Sequence, residues 1–141
     1  MSTLERAIAI AAEAHAGQLD KAGMPYILHP IRVMLRVKTN DQRMIAVLHD
    51  VLEDCPDWTA ERLRKEGFSE PVVEAVLALT KRAGEDYEQF VLRAASNPLA
   101  KGVKMADLQD NSDLSRIPNP TEKDHARIQK YLRAMKLIEG M

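Results

Sequence analysis

Apolar residues recur along this chain at helical spacing, and nowhere do they alternate over a useful length. Leu4, Ile8, Ala11 and His15 share one stripe and predict a helix over residues 3–16, capped by Ser2 or Thr3. Gly17, Gly23 and Pro25 end it and predict a turn or short hairpin over residues 17–26. Helix resumes over residues 27–37, with His29 and Pro30 near its start, where proline is tolerated. Asp41 is the expected cap of the next helix, which runs on through Asp54 until Pro56 stops it. Residues 59–66 predict a short helix ended by Gly67. Ser69 caps another, with Pro71 in its first turn and Val72, Val73, Val76, Leu77 and Leu79 as its apolar positions. Residues 86–95 form a further helix, and Asn97-Pro98 opens one that carries Val103, Met105 and Leu108. The last starts near Asn119, with Pro120 in first position and Glu122 three residues on, and runs to about Glu139. The pattern predicts an all-α fold, a compact bundle of roughly six to eight helices forming one domain over residues 1–141.

One predicted helix carries unusual chemistry. In Ala46-Val47-Leu48-His49-Asp50-Val51-Leu52-Glu53-Asp54, four groups that bind metals or protons fall within six residues. Read as continuous helix, it brings His49 near Glu53 and Asp50 near Glu53 and Asp54, on one broad side. Ala46, Val47, Leu48, Val51 and Leu52 make the stretch apolar nearly all round, as in a buried helix. Crowded buried carboxylates repel unless something positive sits among them, and a divalent metal meets that need.

Composition narrows the function. With 45% apolar and 29% charged residues, the chain reads as an ordinary water-soluble protein. The formal net charge is -1 and only 4% of residues are aromatic, so neither a positive field nor stacking platforms point to a nucleic acid polymer. No apolar run approaches the roughly 20 residues of a membrane helix, and no signal peptide is visible. The single cysteine, Cys55, excludes an internal disulfide and suggests a reducing, cytoplasmic setting. Nothing in the pattern sets an oligomeric state.

A metal site on His49 and Asp50 needs ligands from elsewhere. An imidazole with carboxylates suits Mn²⁺, Fe²⁺ or Zn²⁺. His29 is the upstream candidate; on its own it reads equally as a core or capping histidine. Asp107 is the downstream candidate, in the apolar segment Val103-Lys104-Met105-Ala106-Asp107; its alternative is an ion pair with Lys104. Glu53 and Asp54 then remain, one turn beyond the metal, where a general base or water-orienting acid is needed. Their alternative is an exposed helix end, a reading less suited to both than to one. His15 reads as structural, His125 as solvated, and Cys55 as a small buried residue.

The order His29, His49-Asp50, Asp107 resembles the H…HD…D signature of the HD-domain phosphohydrolases. Ala14-His15-Ala16-Gly17-Gln18, Lys21, Gly23, Pro25-Tyr26-Ile27 and His29-Pro30 resemble the start of the RelA/SpoT-type alarmone hydrolase domain. His49-Asp50-Val51-Leu52-Glu53-Asp54 matches its H-D-x-x-E-D motif, and Val103 to Asp107 with Asn111 resembles its third block. The resemblance spans nearly the whole chain and includes no nucleotide-synthesising domain. It implies an HD-domain bundle holding one Mn²⁺ per chain on His29, His49, Asp50 and Asp107. It implies Glu53 and Asp54 as the catalytic pair on the attacking water. Lys21, Asn111, Arg127 and Tyr131 would contact substrate. The implied reaction removes the 3′-pyrophosphate of guanosine tetra- or pentaphosphate, giving pyrophosphate and GDP or GTP.

The chain departs from the family pattern where a base would be read. Asp20 stands where the family has arginine after Gly-Gln-x, and Leu108-Gln109-Asp110 replaces a basic residue and an aromatic or histidine before Asn111. The same chemistry on an adenosine alarmone, or on another 3′-phosphorylated nucleotide such as a dinucleotide cofactor with an extra phosphate, is therefore an alternative substrate reading. A non-catalytic HD module that binds a nucleotide or a protein partner is the alternative of another class. Such a module has no chemical need for all six groups, and all six are present.

Overall fold

The computed structural model describes all residues, Met1–Met141, and is all-helical. Nine α-helices run in the order α1 (Leu4–Ala14), α2 (Leu28–Leu35), α3 (Asn40–Leu48), α4 (Val51–Asp54), α5 (Ala60–Lys65), α6 (Glu70–Ala78), α7 (Tyr87–Ser96), α8 (Pro98–Asn111) and α9 (Glu122–Glu139). A 3-10 turn, Leu114–Arg116, joins the last two. The expected turn at 17–26 is closed by one antiparallel bridge, between Leu19 and Pro25.

Most caps follow the local chemistry expected of them. The side chains of Thr3, Thr59, Asp86 and Asn97 accept from the first-turn amides of α1, α5, α7 and α8. Ser69 takes the cap position of α6 without a side-chain bond. Two expected caps are displaced by two residues. Thr39 caps α3, which leaves Asp41 in the first turn, where its charge favours the helix dipole. Thr121 caps α9 in a reciprocal box with Asp124, so Asn119 and Pro120 lie outside that helix.

The helix expected across the central stretch is interrupted. α3 ends at Leu48, His49 and Asp50 form a turn, and α4 begins at Val51. Asp50 takes φ -101° and ψ -4°, a sparsely populated conformation common at active sites.

α3 lies at the centre and packs against α1, α2, α6 and α8. Ile45, Ala46, Val47 and Leu48 are all fully buried, so this helix has no solvated face at its end. They belong to a main core of 24 buried residues that also takes Ile10, Val33, Leu63, Val72 and Val103. A smaller core of Val91, Ala95, Leu108, Ala134 and Ile138 fastens α9 to α7 and α8. Leu48→Ala removes a fully buried side chain next to His49. It is expected to destabilise the fold by about 2–5 kcal/mol, measured by denaturant unfolding.

Candidate metal centre and cleft

α2, the turn after α3 and α8 bring together four residues from three separate parts of the sequence. His29, in the first turn of α2, sets Nε2 2.9 Å from Asp107 Oδ1 and 3.8 Å from Asp50 Oδ2. His49, just past α3, sets Nε2 3.1 Å from Asp50 Oδ2 and 3.3 Å from Asp107 Oδ1. The donor atoms of His29, His49 and Asp50 all lie within 4.8 Å of one another, and Asp107 reaches both imidazoles.

The chemistry of these donors suits a divalent metal. His49 Nδ1 donates to the Ala46 carbonyl, so the neutral ring carries its lone pair on Nε2. That Nε2 is buried and lacks a hydrogen-bond partner, yet it faces two carboxylates. A lone pair against carboxylate oxygens repels, so a cation belongs between them: a proton or a metal ion. Ligand atoms about 2.0–2.2 Å from a shared ion stand about 3 Å apart at neighbouring corners of its coordination shell. The four separations here run from 2.9 to 3.8 Å.

Without a metal, protons take the cation's place. Burial pushes His29 down, but hydrogen bonds to Asp107 and Asp110 raise it on balance. Burial acts on His49 in the same sense, and the charges of Asp50 and Asp107 lift it well above its ordinary value. Burial raises the carboxyls in turn and is overcome: the His49 charge brings Asp50 to about 2. The Lys104 charge and the two histidines hold Asp107 well below the carboxylate range.

A raised histidine contributes stability that is complete below its unfolded value, about 6.5, and is lost as pH rises through the folded one. Chelator-treated protein is therefore expected to melt at lower temperature as pH rises from about 6.5 to 9, and excess Mn²⁺ to abolish that fall. Thermal melts across that range check it; a flat profile in chelator contradicts it.

Lys104 is itself buried, and its Nζ lies 3.1 Å from Asp107 Oδ2. The ion pair with Lys104 thus forms without using the whole carboxylate. One oxygen pairs with Lys104 while the other turns to the histidines. Asn111 Nδ2 also donates to Asp107 Oδ1, at 3.1 Å.

Glu53 and Asp54, at the end of α4, are both solvent-exposed. The turn at Asp50 interrupts the helix, so the continuous helical face expected from the sequence does not form, and neither carboxylate lines the cleft beside His29. Partial burial and the Asp50 charge raise both carboxyls. A cleft of about 410 Å³ opens beside His29. Lys21, Asn111, Arg127 and Tyr131 all line it, together with Asp20, Tyr26, Arg32 and Arg116. Arg127 is braced by Asp124 at 2.8 Å, whereas no carboxylate lies within ion-pair distance of Lys21. The Asp20 carboxylate accepts from the amides of Ala22 and Met24, both at 2.9 Å, and so is engaged in its own turn.

Three contributors escaped the sequence reading. The Tyr26 hydroxyl donates to Asp50 Oδ2, Asp110 accepts from His29 Nδ1 at 2.7 Å, and Arg32 holds Asp110 through Nε at 2.8 Å. The segment after Asp107 is also not what its position suggested. Leu108 is buried in the smaller core, Asp110 is fully buried, and neither faces the cleft. His15 is buried against Tyr26, His125 is exposed, and Cys55 is buried with Sγ donating to the Ala14 carbonyl.

A helical bundle that gathers two histidines and two aspartates at its centre is an HD-type architecture. No family model matches the chain. It is 35% identical over 120 residues to a guanosine-3′,5′-bis(diphosphate) 3′-pyrophosphohydrolase of Aquifex aeolicus, a match covering 77% of this chain and 17% of that protein. A protein of the same name from Haemophilus influenzae is 41% identical over 117 residues, covering 72% of this chain and 17% of its own. The chain thus spans about a sixth of the length of these curated relatives. The fold is shared with a solved metazoan ortholog of SpoT, described as hydrolysing ppGpp, at a TM-score of 0.80 and 24% identity over 98% of this chain and 85% of that one. The chain belongs with the RelA/SpoT-type hydrolases.

Proposed function

We propose that this chain hydrolyses the 3′-pyrophosphate of a guanosine alarmone, releasing pyrophosphate and GDP or GTP. The reading rests on one observation: His29, His49, Asp50 and Asp107 converge beside a cleft that Lys21, Asn111, Arg127 and Tyr131 line. The names of its relatives support it. The four convergent residues would hold the metal, and a carboxylate-rich set of this kind favours Mn²⁺. Bound there, a divalent ion supplies Lewis acidity to the scissile phosphate and acidifies a water.

The chain's own groups do the rest. Glu53 and Asp54 orient the attacking water and take its proton; their raised basicity suits that task. The 3′-oxygen leaves with a proton and pyrophosphate is released. Tyr26 holds Asp50 by its hydroxyl, fixing the carboxylate that faces both imidazoles. Lys21 and Arg127 offset phosphate charge, Asn111 contacts the ribose, and Tyr131 packs on the substrate's phosphate end.

A second reading follows from Asp20. It lines the cleft where the family pattern has an arginine, so the base is the variable part of the substrate. The same chemistry on an adenosine alarmone is the alternative. The test offers both alarmones to the purified protein with Mn²⁺ and measures pyrophosphate release. Release from the guanosine compound supports the first reading. Release from the adenosine compound alone supports the second. Release from neither, with metal bound, sets both aside in favour of a non-catalytic binding module.

A further inference from the structure

His29 is gripped on both ring nitrogens by one helix. α8 presents Asp107 to Nε2 at 2.9 Å and, three residues on, Asp110 to Nδ1 at 2.7 Å. Asp110 is fully buried, so its charge needs compensation. Arg32, from the same helix as His29, provides it with two bonds, Nε to Oδ1 at 2.8 Å and Nη2 to Oδ2 at 3.1 Å. Arg116 adds a bond from Nη2 to the Asp110 carbonyl at 2.9 Å. A carboxylate held by guanidinium accepts and does not donate, so the proton between it and His29 belongs to Nδ1. The neutral ring then has its lone pair on Nε2, directed at Asp107 and the cluster. His49 reaches the same tautomer by another route, through the Ala46 carbonyl.

We infer that Asp110, locked by Arg32, is a positioning residue that fixes the tautomer and orientation of His29 for metal ligation. The inference rests on the metal reading above. Asp110 occupies one of the positions where the sequence departs from the RelA/SpoT pattern. A carboxylate behind a ligating imidazole holds the ring and raises its basicity, and losing such a partner costs roughly 10–100-fold in metal affinity.

The experiment titrates Mn²⁺ into the wild type, Asp110→Ala, Asp110→Asn and Arg32→Met. Far-ultraviolet dichroism confirms that each is folded, and turnover is followed against Mn²⁺ concentration. Asp110→Ala is expected to weaken Mn²⁺ roughly 10–100-fold, and Asp110→Asn and Arg32→Met by less, since both keep an acceptor at His29 Nδ1. Saturating Mn²⁺ is expected to restore most of kcat, a rescue that a merely structural role would not allow. If Asp110→Ala does not fold, Asp110→Asn and Arg32→Met decide. Folded variants that bind Mn²⁺ within twofold of the wild type overturn the inference and leave the metal reading standing. A wild type that binds neither Mn²⁺ nor Zn²⁺ overturns both.

Discussion

Replacing His49 with alanine is expected to abolish metal binding and hydrolysis together. Its Nε2 stands between Asp50 and Asp107, at 3.1 and 3.3 Å, and His29 is the other imidazole that reaches both carboxylates. Alanine leaves two carboxylates facing each other with one imidazole between them. A divalent ion held there would supply several kcal/mol of transition-state stabilisation, so its loss would correspond to a fall in rate on the order of a thousand-fold or more. The substitution also opens a cavity and removes a buried partner of two acids, which costs the chelator-treated fold about 3–5 kcal/mol. Mn²⁺ titration and pyrophosphate release, with unfolding measured alongside, check all three effects. His125→Ala is the matched control, because that histidine is exposed on α9 and is expected to change none of them. Retained Mn²⁺ affinity in His49→Ala removes His49 from the ligand set.

The convergence of His29, His49, Asp50 and Asp107 was legible in the sequence because it is a matter of chemistry. Buried imidazole and carboxylate groups in apolar helices call for a cation wherever the chain brings them. The fold class was legible from periodicity, and most helix starts from a threonine, aspartate or asparagine ahead of an apolar stripe. Where several such residues cluster, the cap is decided by what stands three residues on. Thr121 wins over Asn119 because Asp124 returns its hydrogen bond.

The break at His49-Asp50 had no local signal. No glycine or proline marks it, and apolar periodicity runs straight through. The turn is set by tertiary structure: it aims Asp50 at both imidazoles and at the Tyr26 hydroxyl. Asp110 was hidden for a related reason. Its spacing from Asp107 shows that the two share a helix face. It does not show that a histidine some 80 residues earlier lies between them. Its position also suggested a cleft-facing residue, whereas burial turns it beneath the site.

Glu53→Gln is expected to keep the metal and lose hydrolysis. Glu53 is not among the four convergent groups, so Mn²⁺ should bind nearly as it does to the parent. Glutamine matches the shape of glutamate but cannot take a proton, and a positioned general base is worth about 10²–10⁴-fold. The neighbouring Asp54 complicates the size of the effect. Both carboxyls are raised by partial burial and by the same Asp50 charge, and the Asp54 charge raises Glu53 further. Glu53 is lowered in part by the Lys81 backbone amide, whereas Asp54 is lowered by the charges of His15, His49 and His29. If the pair acts as a unit, Glu53→Gln with Asp54→Asn should cost little more than the worse single change, because groups that share a step are not additive. The decisive readings are kcat at saturating Mn²⁺ for both singles and the double. Additive losses would mean two separate tasks. Unchanged turnover in Glu53→Gln would give the proton to Asp54 alone. A large loss of Mn²⁺ affinity in that variant would instead make Glu53 a ligand, and the exposed rim of α4 part of the metal site.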